Sequence, residues 1–242
     1  MRSLKILYED NHIIVVEKMP NIPSQSDKTG DIDMLTLVKQ YIKEKYNKPG
    51  NVYVGLVHRL DRPVGGIMIF AKTSKAASRL SNQVREKTFK KKYLAVVDGK
   101  FEKQTGILED YLYKDERNNI SKVVNKEKKN AKLAKLEYEV VKYNEVKNLS
   151  LVKINLYTGR HHQIRVQLAN FNHSIFGDQK YGTRGKGKQI ALWAYELTII
   201  HPVTKEEMKF KDLPEAVGTW CILKWRLIYI ILKKLEKSMW IC

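Results

Sequence analysis

A polar loop, His58-Arg-Leu-Asp-Arg-Pro-Val-Gly-Gly66, joins two apolar stretches and has the spacing most suited to chemistry. Asp61 lies between Arg59 and Arg62. Neighbouring cations favour the ionised form of a carboxylate, so Asp61 is a candidate nucleophile or general base. The two glycines that end the loop would leave room for a ligand to approach closely. The same spacing also fits an ordinary Arg–Asp pair that stabilises a turn, because such surface pairs are common and weak.

A second polar segment, Thr158-Gly-Arg-His-His-Gln-Ile-Arg165, combines a glycine with the predicted start of a helix. Backbone N–H groups at such a start can hold an anion. Arg160 and Arg165 add guanidinium groups suited to phosphate or carboxylate. His161 and His162 are adjacent, so on a helix they would point to different faces. With no further ligands at workable spacing, the pair does not predict a metal site.

The charge balance points to a polyanionic partner. The 242 residues include 45 Lys and Arg against 26 Asp and Glu, a formal net charge of +19. Such a surface attracts nucleic acid, although the lysines could also be simply solvated. The N-terminus lacks the apolar run of a signal peptide, and the most apolar stretch, residues 227–232, is too short to span a bilayer. Two cysteines form no disulfide framework, and we predict a cytoplasmic protein without membrane association.

The hydrophobic pattern predicts an α+β fold with a mixed, mainly antiparallel β-sheet core and flanking helices. Strands are predicted at residues 5–8, 13–16, 52–57, 67–71, 92–97, 136–141, 149–156, 196–200 and 208–211. Helices are predicted at residues 35–42, 74–87 and 160–170. Residues 114–132 are rich in Lys, Asn, Asp and Glu, and they are predicted to form an exposed excursion within a β meander.

Four motifs follow one another along the chain. The first is His58-Arg-Leu-Asp with the Gly, the apolar strand and the Ala-Lys that follow it, and the second is Lys91-Lys-Tyr-Leu-Ala-Val-Val-Asp-Gly99. The third is the segment from Thr158 to Arg165, and the fourth is Ile175-Phe-Gly-Asp-Gln-Lys-Tyr-Gly182. In this order they resemble the RluA-type pseudouridine synthases. The resemblance implies a two-lobed catalytic domain with a basic cleft, which acts on rRNA or tRNA without a cofactor or metal.

The resemblance also implies roles for individual side chains. Asp61 matches the family's catalytic carboxylate, and Arg165 matches the basic residue that pairs with it. Tyr93 matches the tyrosine that stacks on the target base and is a candidate for assisting the final deprotonation. Arg59 matches the arginine that takes the place of the flipped-out base, whose extrusion costs a few kcal/mol. Further RNA contacts are predicted for four other side chains, which are His58, Arg62, Arg160 and Gln163.

The chain departs from the family pattern at a few positions. Val64 replaces the Thr that many members have after the signature, Pro63 stiffens the loop, and Gln167 stands where a histidine is common. The catalytic pattern begins almost at residue 1, which predicts a short form without an S4 domain. We predict a catalytic domain at residues 1–217, a basic and apolar helical tail at 218–242, and a monomer.

Two other function classes fit part of this pattern. One is a non-catalytic RNA-binding or ribosome-assembly factor that keeps the fold, although such a protein needs no carboxylate facing a phosphate-rich ligand. The other is a glycosidase or nucleosidase that uses Asp61. That chemistry requires a second carboxylate as acid or base, and Asp178 is the only candidate in the motifs.

Overall fold

The computed structural model describes residues 4–215 and Trp220, and one sheet of 11 strands organises them. The strands are β1 (Ile6–Glu9), β2 (Ile13–Lys18), β3 (Gly55–Leu56), β4 (Gly65–Ala71), β5 (Lys90–Asp98), β6 (Thr105–Asp115), β7 (Ile120–Val124), β8 (Lys132–Asn144), β9 (Leu149–Leu156), β10 (Leu192–Ile200) and β11 (Glu207–Lys211). The helices are α1 (Met34–Lys45), α2 (Ser74–Arg85) and α3 (Gln163–Asn170), and none of these three is long and apolar enough to cross a membrane. The predicted tail, residues 218–242, lies outside the described residues apart from Trp220.

The strand order confirms the predicted fold class. Along the sheet the order is β1-β2-β4-β10-β5-β9-β8-β6-β7, with β3 on β4 and β11 on β10. Within the described residues only β4 and β10 pair in parallel, and all the other named pairs are antiparallel. The α+β architecture with a mixed, mainly antiparallel sheet therefore agrees with the sequence pattern.

The β2 and β4 strands are buried on both faces, which explains their uninterrupted apolar runs. On one face, α1 contributes Met34, Val38 and Ile42 to a core shared with the alternate strand residues Ile14, Val16, Met68 and Phe70. On the other face, α2 packs Ala76 and Leu80 against Ile13, Val15, Ile67 and Ile69. Burying each large apolar side chain contributes roughly 1.5–3 kcal/mol, so the two helices fix this half of the sheet from opposite sides.

The glycines at the start of β4, Gly65 and Gly66, allow β10 to pack closely against that strand. A Cβ on Gly65 would come within 2.2 Å of the Trp193 ring, and one on Gly66, whose φ is +123°, within 2.3 Å of the Ala194 carbonyl oxygen. Both positions pair with β10 in the parallel ladder. The prediction that these glycines leave room for a ligand was wrong, because the neighbouring strand occupies that space.

Several predicted elements differ in extent from those observed, and β6 was not predicted as a strand. The predicted strand at 52–57 shortens to Gly55–Leu56. Residues 114–132 include β7, which pairs with β6 as a hairpin whose turn holds Asn119 at φ +49°, so only part of this segment is an excursion. The third helix begins at Gln163 instead of residue 160, because His162 is left-handed, at φ +53°.

Candidate active site

A cleft of about 1300 Å³ opens between the loops that carry the motifs. Among the described residues, its wall contains nine lysines and arginines but only two acidic side chains, which are Asp27 and Asp61. The basic residues are Arg59, Arg62, Arg85, Lys87, Lys91, Arg160, Arg165, Lys180 and Lys188. A cleft lined mainly by one sign of charge concentrates its potential and attracts ligands of the opposite sign. The cleft is therefore suited to a polyanion.

Arg165 joins two carboxylates at the base of this cleft. Its Nη1 lies 3.2 Å from Oδ2 of Asp61, whose side chain is 29% exposed. On its other side, Nε and Nη2 bind both oxygens of Asp178 at 2.8 and 2.6 Å, and Asp178 is fully buried. Burial disfavours the charge of Arg165, but the hydrogen bonds and charges of Asp178 and Asp61 outweigh it and raise the pKa of the guanidinium.

Asp178 is enclosed on all sides. Besides Arg165, its Oδ1 accepts from the backbone N–H groups of Lys180 at 2.9 Å and Tyr181 at 3.2 Å. An acid for glycoside chemistry must reach the leaving group, whereas this carboxylate is occupied by its own protein. The geometry argues against the glycosidase or nucleosidase alternative, since it does not offer Asp178 to a substrate.

Tyr93 lines the same cleft from β5 and is 6% exposed. Burial raises the pKa of its phenol, and the charge of Asp61 raises it further. The phenol is therefore protonated at neutral pH and presents a neutral ring. Asp61, Tyr93, Arg165 and Arg59, the four side chains predicted to act together, all line this cleft.

Two buried side chains support the loop that carries Asp61. The fully buried ammonium of Lys18 donates to the carbonyl oxygens of Arg62 at 2.9 Å and Val64 at 2.6 Å. Its burial lowers the pKa of Lys18 to about 7. Ser24 donates to the Leu60 carbonyl at 2.8 Å and accepts from the N–H of the same residue at 3.1 Å. These contacts fix the backbone on both sides of Asp61.

A hydrogen-bonded chain approaches Asp61 from the third and fourth motifs. The Tyr181 hydroxyl accepts from the Ser121 N–H at 2.7 Å and lies 2.8 Å from Nδ1 of His162. The other ring nitrogen, Nε2, faces Oδ2 of Asp61 at 3.7 Å. Burial, together with the charge of Arg165, lowers the pKa of His162 to about 2, so the ring is neutral. In the tautomer in which the hydroxyl donates to Nδ1, the ring proton is on Nε2 and points toward the carboxylate.

His161 and His162 do not lie on a helix, so the prediction that they point to different helix faces was wrong. Both precede α3, and their rings stack with centroids 3.8 Å apart. Across residues 4–215 and Trp220, no three His, Cys, Asp or Glu side chains come together in a way that could hold a metal ion.

The predicted RNA contacts fall into different surroundings. Arg59 is exposed at the cleft and forms no hydrogen bond or ion pair within the described residues. Arg160 is exposed, with Nε donating to the Leu133 carbonyl at 2.8 Å. Arg62 does not pair with Asp61 but with Asp27 and Asp31. The local ion pair considered from the spacing around Asp61 therefore does not form.

Burial contradicts the prediction of direct RNA contacts for His58 and Gln163, which are 9% and 3% exposed. His58 Nε2 accepts from the Ile69 N–H at 3.2 Å, and burial lowers its pKa to about 3. Gln163 uses its amide within the protein, accepting from the Arg160 N–H at 3.0 Å and donating to Gln167 at 2.9 Å. Gln167 in turn donates to Asp110 at 2.7 Å, so this departure from the family pattern is fully accommodated.

Several site residues were missed from the sequence. Lys18, Ser24 and Tyr181 contact the site through pairings between distant segments, and nothing in their local spacing distinguishes them from ordinary polar residues. Asp178 was considered only as a second catalytic carboxylate. An acidic residue in a glycine-bounded loop was the available sequence signal for an anchor of Arg165.

Comparison with known proteins identifies the family. Residues 12–170 match the family model described as RNA pseudouridylate synthase. The chain is 34% identical over 209 residues to RNA pseudouridine synthase YhcT of Bacillus subtilis, covering 84% of this chain and 66% of YhcT, so it spans about two thirds of that relative. It is also 34% identical over 214 residues to the dual-specificity RNA pseudouridine synthase RluA of Escherichia coli, covering 86% of this chain and 92% of RluA.

A solved structure has the same fold. Human RNA Pseudouridylate Synthase Domain Containing 4 superimposes with a TM-score of 0.73 at 22% identity, over 87% of this chain and 89% of the human chain. The sequence match extends over the Asp61 loop, β5 and α3, which form the cleft. The family predicted from the four motifs is confirmed: the chain belongs to the RNA pseudouridylate synthase family.

Proposed function

We propose that this protein isomerises uridine in structured RNA, either rRNA or tRNA, to pseudouridine, with Asp61 as the catalytic carboxylate and without a cofactor. One observation carries the proposal: a partly exposed carboxylate, held by the buried Arg165, lies in a cleft with basic walls. A protein that only binds RNA gains nothing from an ionised carboxylate there, because the carboxylate repels phosphate. We further propose that the protein acts as a cytoplasmic monomer.

The chemistry requires that the C1′–N1 bond of uridine break, that the uracil rotate, and that C1′ rejoin the base at C5, which then loses its proton while N1 gains one. Asp61 can attack C1′, attack the base, or remove a ribose proton, and all three routes need an ionised carboxylate. The Arg165 guanidinium donates a hydrogen bond of 3.2 Å to this carboxylate and places a positive charge beside it. Asp178 keeps Arg165 in place, so the cation need not reorganise during the reaction.

The uridine must leave the RNA stack before it can reach Asp61. Extrusion costs a few kcal/mol, which stacking on the neutral ring of Tyr93 would offset in part. Arg59 is an exposed guanidinium at the cleft, and a planar cation is suited to stacking between bases. In this proposal Arg59 fills the space that the base leaves, and the surrounding lysines and arginines bind the phosphates.

The test is pseudouridine mapping of total RNA from a strain that lacks the gene. The strain is complemented with the wild type, with Asp61→Ala, or with Asp27→Ala as a matched control. Asp27 lines the same cleft but pairs with Arg62. We expect at least one uridine site to be lost in the deletion and restored by the wild type and the control, but not by Asp61→Ala. Restoration by Asp61→Ala would exclude the proposed role, and an unchanged RNA in every strain would favour the non-catalytic RNA-binding factor.

A further inference from the structure

Lys91 lies on β5 two residues before Tyr93, and both side chains line the cleft. Alternate residues of a strand share a face, with Cα atoms roughly 7 Å apart. Lys91 also lies beside the turn that opens the third motif, since a Cβ on Gly159 would come within 3.2 Å of its Nζ. An ammonium group is thus positioned next to the ring that we propose as the base platform.

The ammonium of Lys91 has no anionic partner. Within residues 4–215 and Trp220 its Nζ makes no hydrogen bond or ion pair, and its nearest ring contact is Phe89, with the centroid 6.0 Å away. Burial lowers the pKa of Lys91, and no carboxylate offsets this effect. The next residue provides the contrast, because the Lys92 Nζ lies 2.8 Å from a carboxylate oxygen of Glu196. A partly buried cation without a partner destabilises the folded protein unless a ligand supplies the opposite charge.

A second donor nearby also lacks an acceptor. His58 packs against the same Phe89 ring, with centroids 5.2 Å apart. Since Nε2 accepts from the Ile69 N–H, the proton of the neutral His58 ring is on Nδ1, which is buried without a partner in the described part of the chain. His58 is too buried to reach a ligand itself, but its Nδ1–H, like the Lys91 ammonium, has no acceptor among the described residues, so no carboxylate compensates the charge of Lys91 here.

We propose that Lys91 forms a phosphate-binding subsite, which receives a backbone phosphate of the RNA beside the uridine that Tyr93 holds. This inference rests on the proposed function, because the RNA substrate supplies the phosphate. Asp61 cannot supply the missing charge, since Arg165 engages it. The phosphodiester adjoining an extruded uridine reaches the same face of β5 and satisfies the ammonium.

The experiment measures binding of a short fluorescein-labelled oligouridylate by anisotropy over a series of salt concentrations. It compares the wild type with Lys91→Met, Lys91→Arg and the control Lys90→Met. Lys90 is exposed and points to the opposite face of β5, so its variant removes the same charge from the same strand. Loss of one phosphate contact should weaken binding roughly three- to ten-fold at low salt and reduce the slope of log K against log salt by about 0.7.

A readout of stability separates this role from a structural one. Because Lys91→Met removes an uncompensated cation, we expect its Tm to be unchanged or raised by about 2–4 °C while RNA binding weakens. Lys91→Arg should restore the salt slope, and Lys90→Met should keep it. Equal slopes for Lys91→Met and Lys90→Met would overturn the subsite and leave the proposed function standing. A wild type that does not bind oligouridylate would also overturn the subsite, whereas the proposed function is decided separately by pseudouridine mapping.

Discussion

Arg165 contacts two carboxylates, and the two contacts differ. Asp178 binds the guanidinium with both oxygens at 2.6 and 2.8 Å, is fully buried, and also accepts two backbone N–H groups. Asp61 contacts the guanidinium through a single hydrogen bond of 3.2 Å and is 29% exposed to the cleft. Asp178 therefore uses its hydrogen-bond acceptors within the protein, while Asp61 keeps acceptors free to contact a substrate.

The difference separates anchoring from chemistry. A cation that stabilises charge during a reaction is most effective when it is already in position. Asp178 holds Arg165 with bidentate geometry, which restricts the guanidinium more than a single contact can. Asp61 then meets a fixed cation on one side and the neutral ring of His162 on the other. Replacing each member of this arrangement in turn tests whether the two carboxylates have the distinct tasks that their geometry indicates.

The largest effect should come from Asp61→Asn. Removing the charge while keeping the shape should lower kcat by roughly 10³-fold or more, because the amide is neither a nucleophile nor a base at neutral pH. Since Asp61 is partly exposed and makes one hydrogen bond to Arg165, the free energy of unfolding should change by no more than about 1 kcal/mol. Tritium release from RNA labelled at uridine C5 measures the rate, and urea unfolding measures stability. Asp27→Asn is the control, and a similar loss in that variant would mean that general electrostatics control the rate.

For Asp178→Asn we expect the main effect on stability. This change leaves the buried Arg165 without its main counter-charge, and breaking a buried pair typically costs about 3 kcal/mol or more. Urea unfolding should show that loss, whereas Glu139→Gln, which removes a surface pair with Lys153, should cost less than about 0.5 kcal/mol. If Asp178→Asn were as stable as the wild type, the anchoring role of this carboxylate would have to be abandoned.

The same two carboxylates show what local spacing can predict. The motif around Asp61 indicated an ionised carboxylate and placed it in a loop between strands, but the neighbouring arginines are not its partners. The cation that contacts it is Arg165, which is 104 positions away. Side-chain direction in a loop depends on long-range packing, so the identity of this partner came from the family resemblance and not from spacing.

Strands were predictable for a different reason. Apolar runs such as that of β2 identify buried strands whichever neighbours they pair with. Their pairing was not predictable, because β10 joins β4 in parallel through contacts that require glycine at two positions. The start of α3 was misplaced because His162 adopts a left-handed conformation, which is uncommon for residues other than glycine and lacks a sequence signal here.

The free energy of unfolding should decrease in acid because of His162, the ring that faces Asp61. The pKa of His162 is lowered from its ordinary value of 6.5 to about 2, so below pH 6.5 the unfolded chain binds a proton that the folded protein does not. Stability is therefore complete above pH 6.5 and falls as the pH decreases toward 2. Between pH 7 and pH 5 this one ring should cost about 2 kcal/mol. Urea unfolding of the wild type and His162→Gln at several pH values measures the difference.

His58 provides the internal check on that experiment. Its pKa is lowered by burial to about 3, so it adds a comparable loss over the same interval. His162→Gln should remove the loss of about 2 kcal/mol due to its own ring and leave the parts due to His58 and His161, whose pKa burial also lowers. A variant whose pH dependence matched that of the wild type would mean that His162 is charged in the folded protein. Asp61 would then face two cations, and the comparison with Asp178 would need revision.

The smallest effect should come from Tyr181→Phe, which tests how Asp61 is oriented. The Tyr181 hydroxyl lies 2.8 Å from His162 Nδ1, and the opposite ring nitrogen faces Asp61 at 3.7 Å. Without the hydroxyl, the neutral ring can move its proton to Nδ1 and present a lone pair to the carboxylate, which is unfavourable. We expect kcat to fall about five-fold, the equivalent of about 1 kcal/mol, with KM nearly unchanged.

Nitrogen-15 NMR of the histidine side chains distinguishes this effect from a loss of packing. In the wild type the His162 ring should carry its proton on Nε2, and in Tyr181→Phe part of the population should carry it on Nδ1. Tyr143→Phe, which removes an exposed hydroxyl bonded to Asn148, should change neither the tautomer nor the rate. A five-fold loss of rate with an unchanged His162 tautomer would assign the effect to the lost Ser121 contact instead. Asp61 would then owe its orientation to Arg165 and to the loop supported by Lys18.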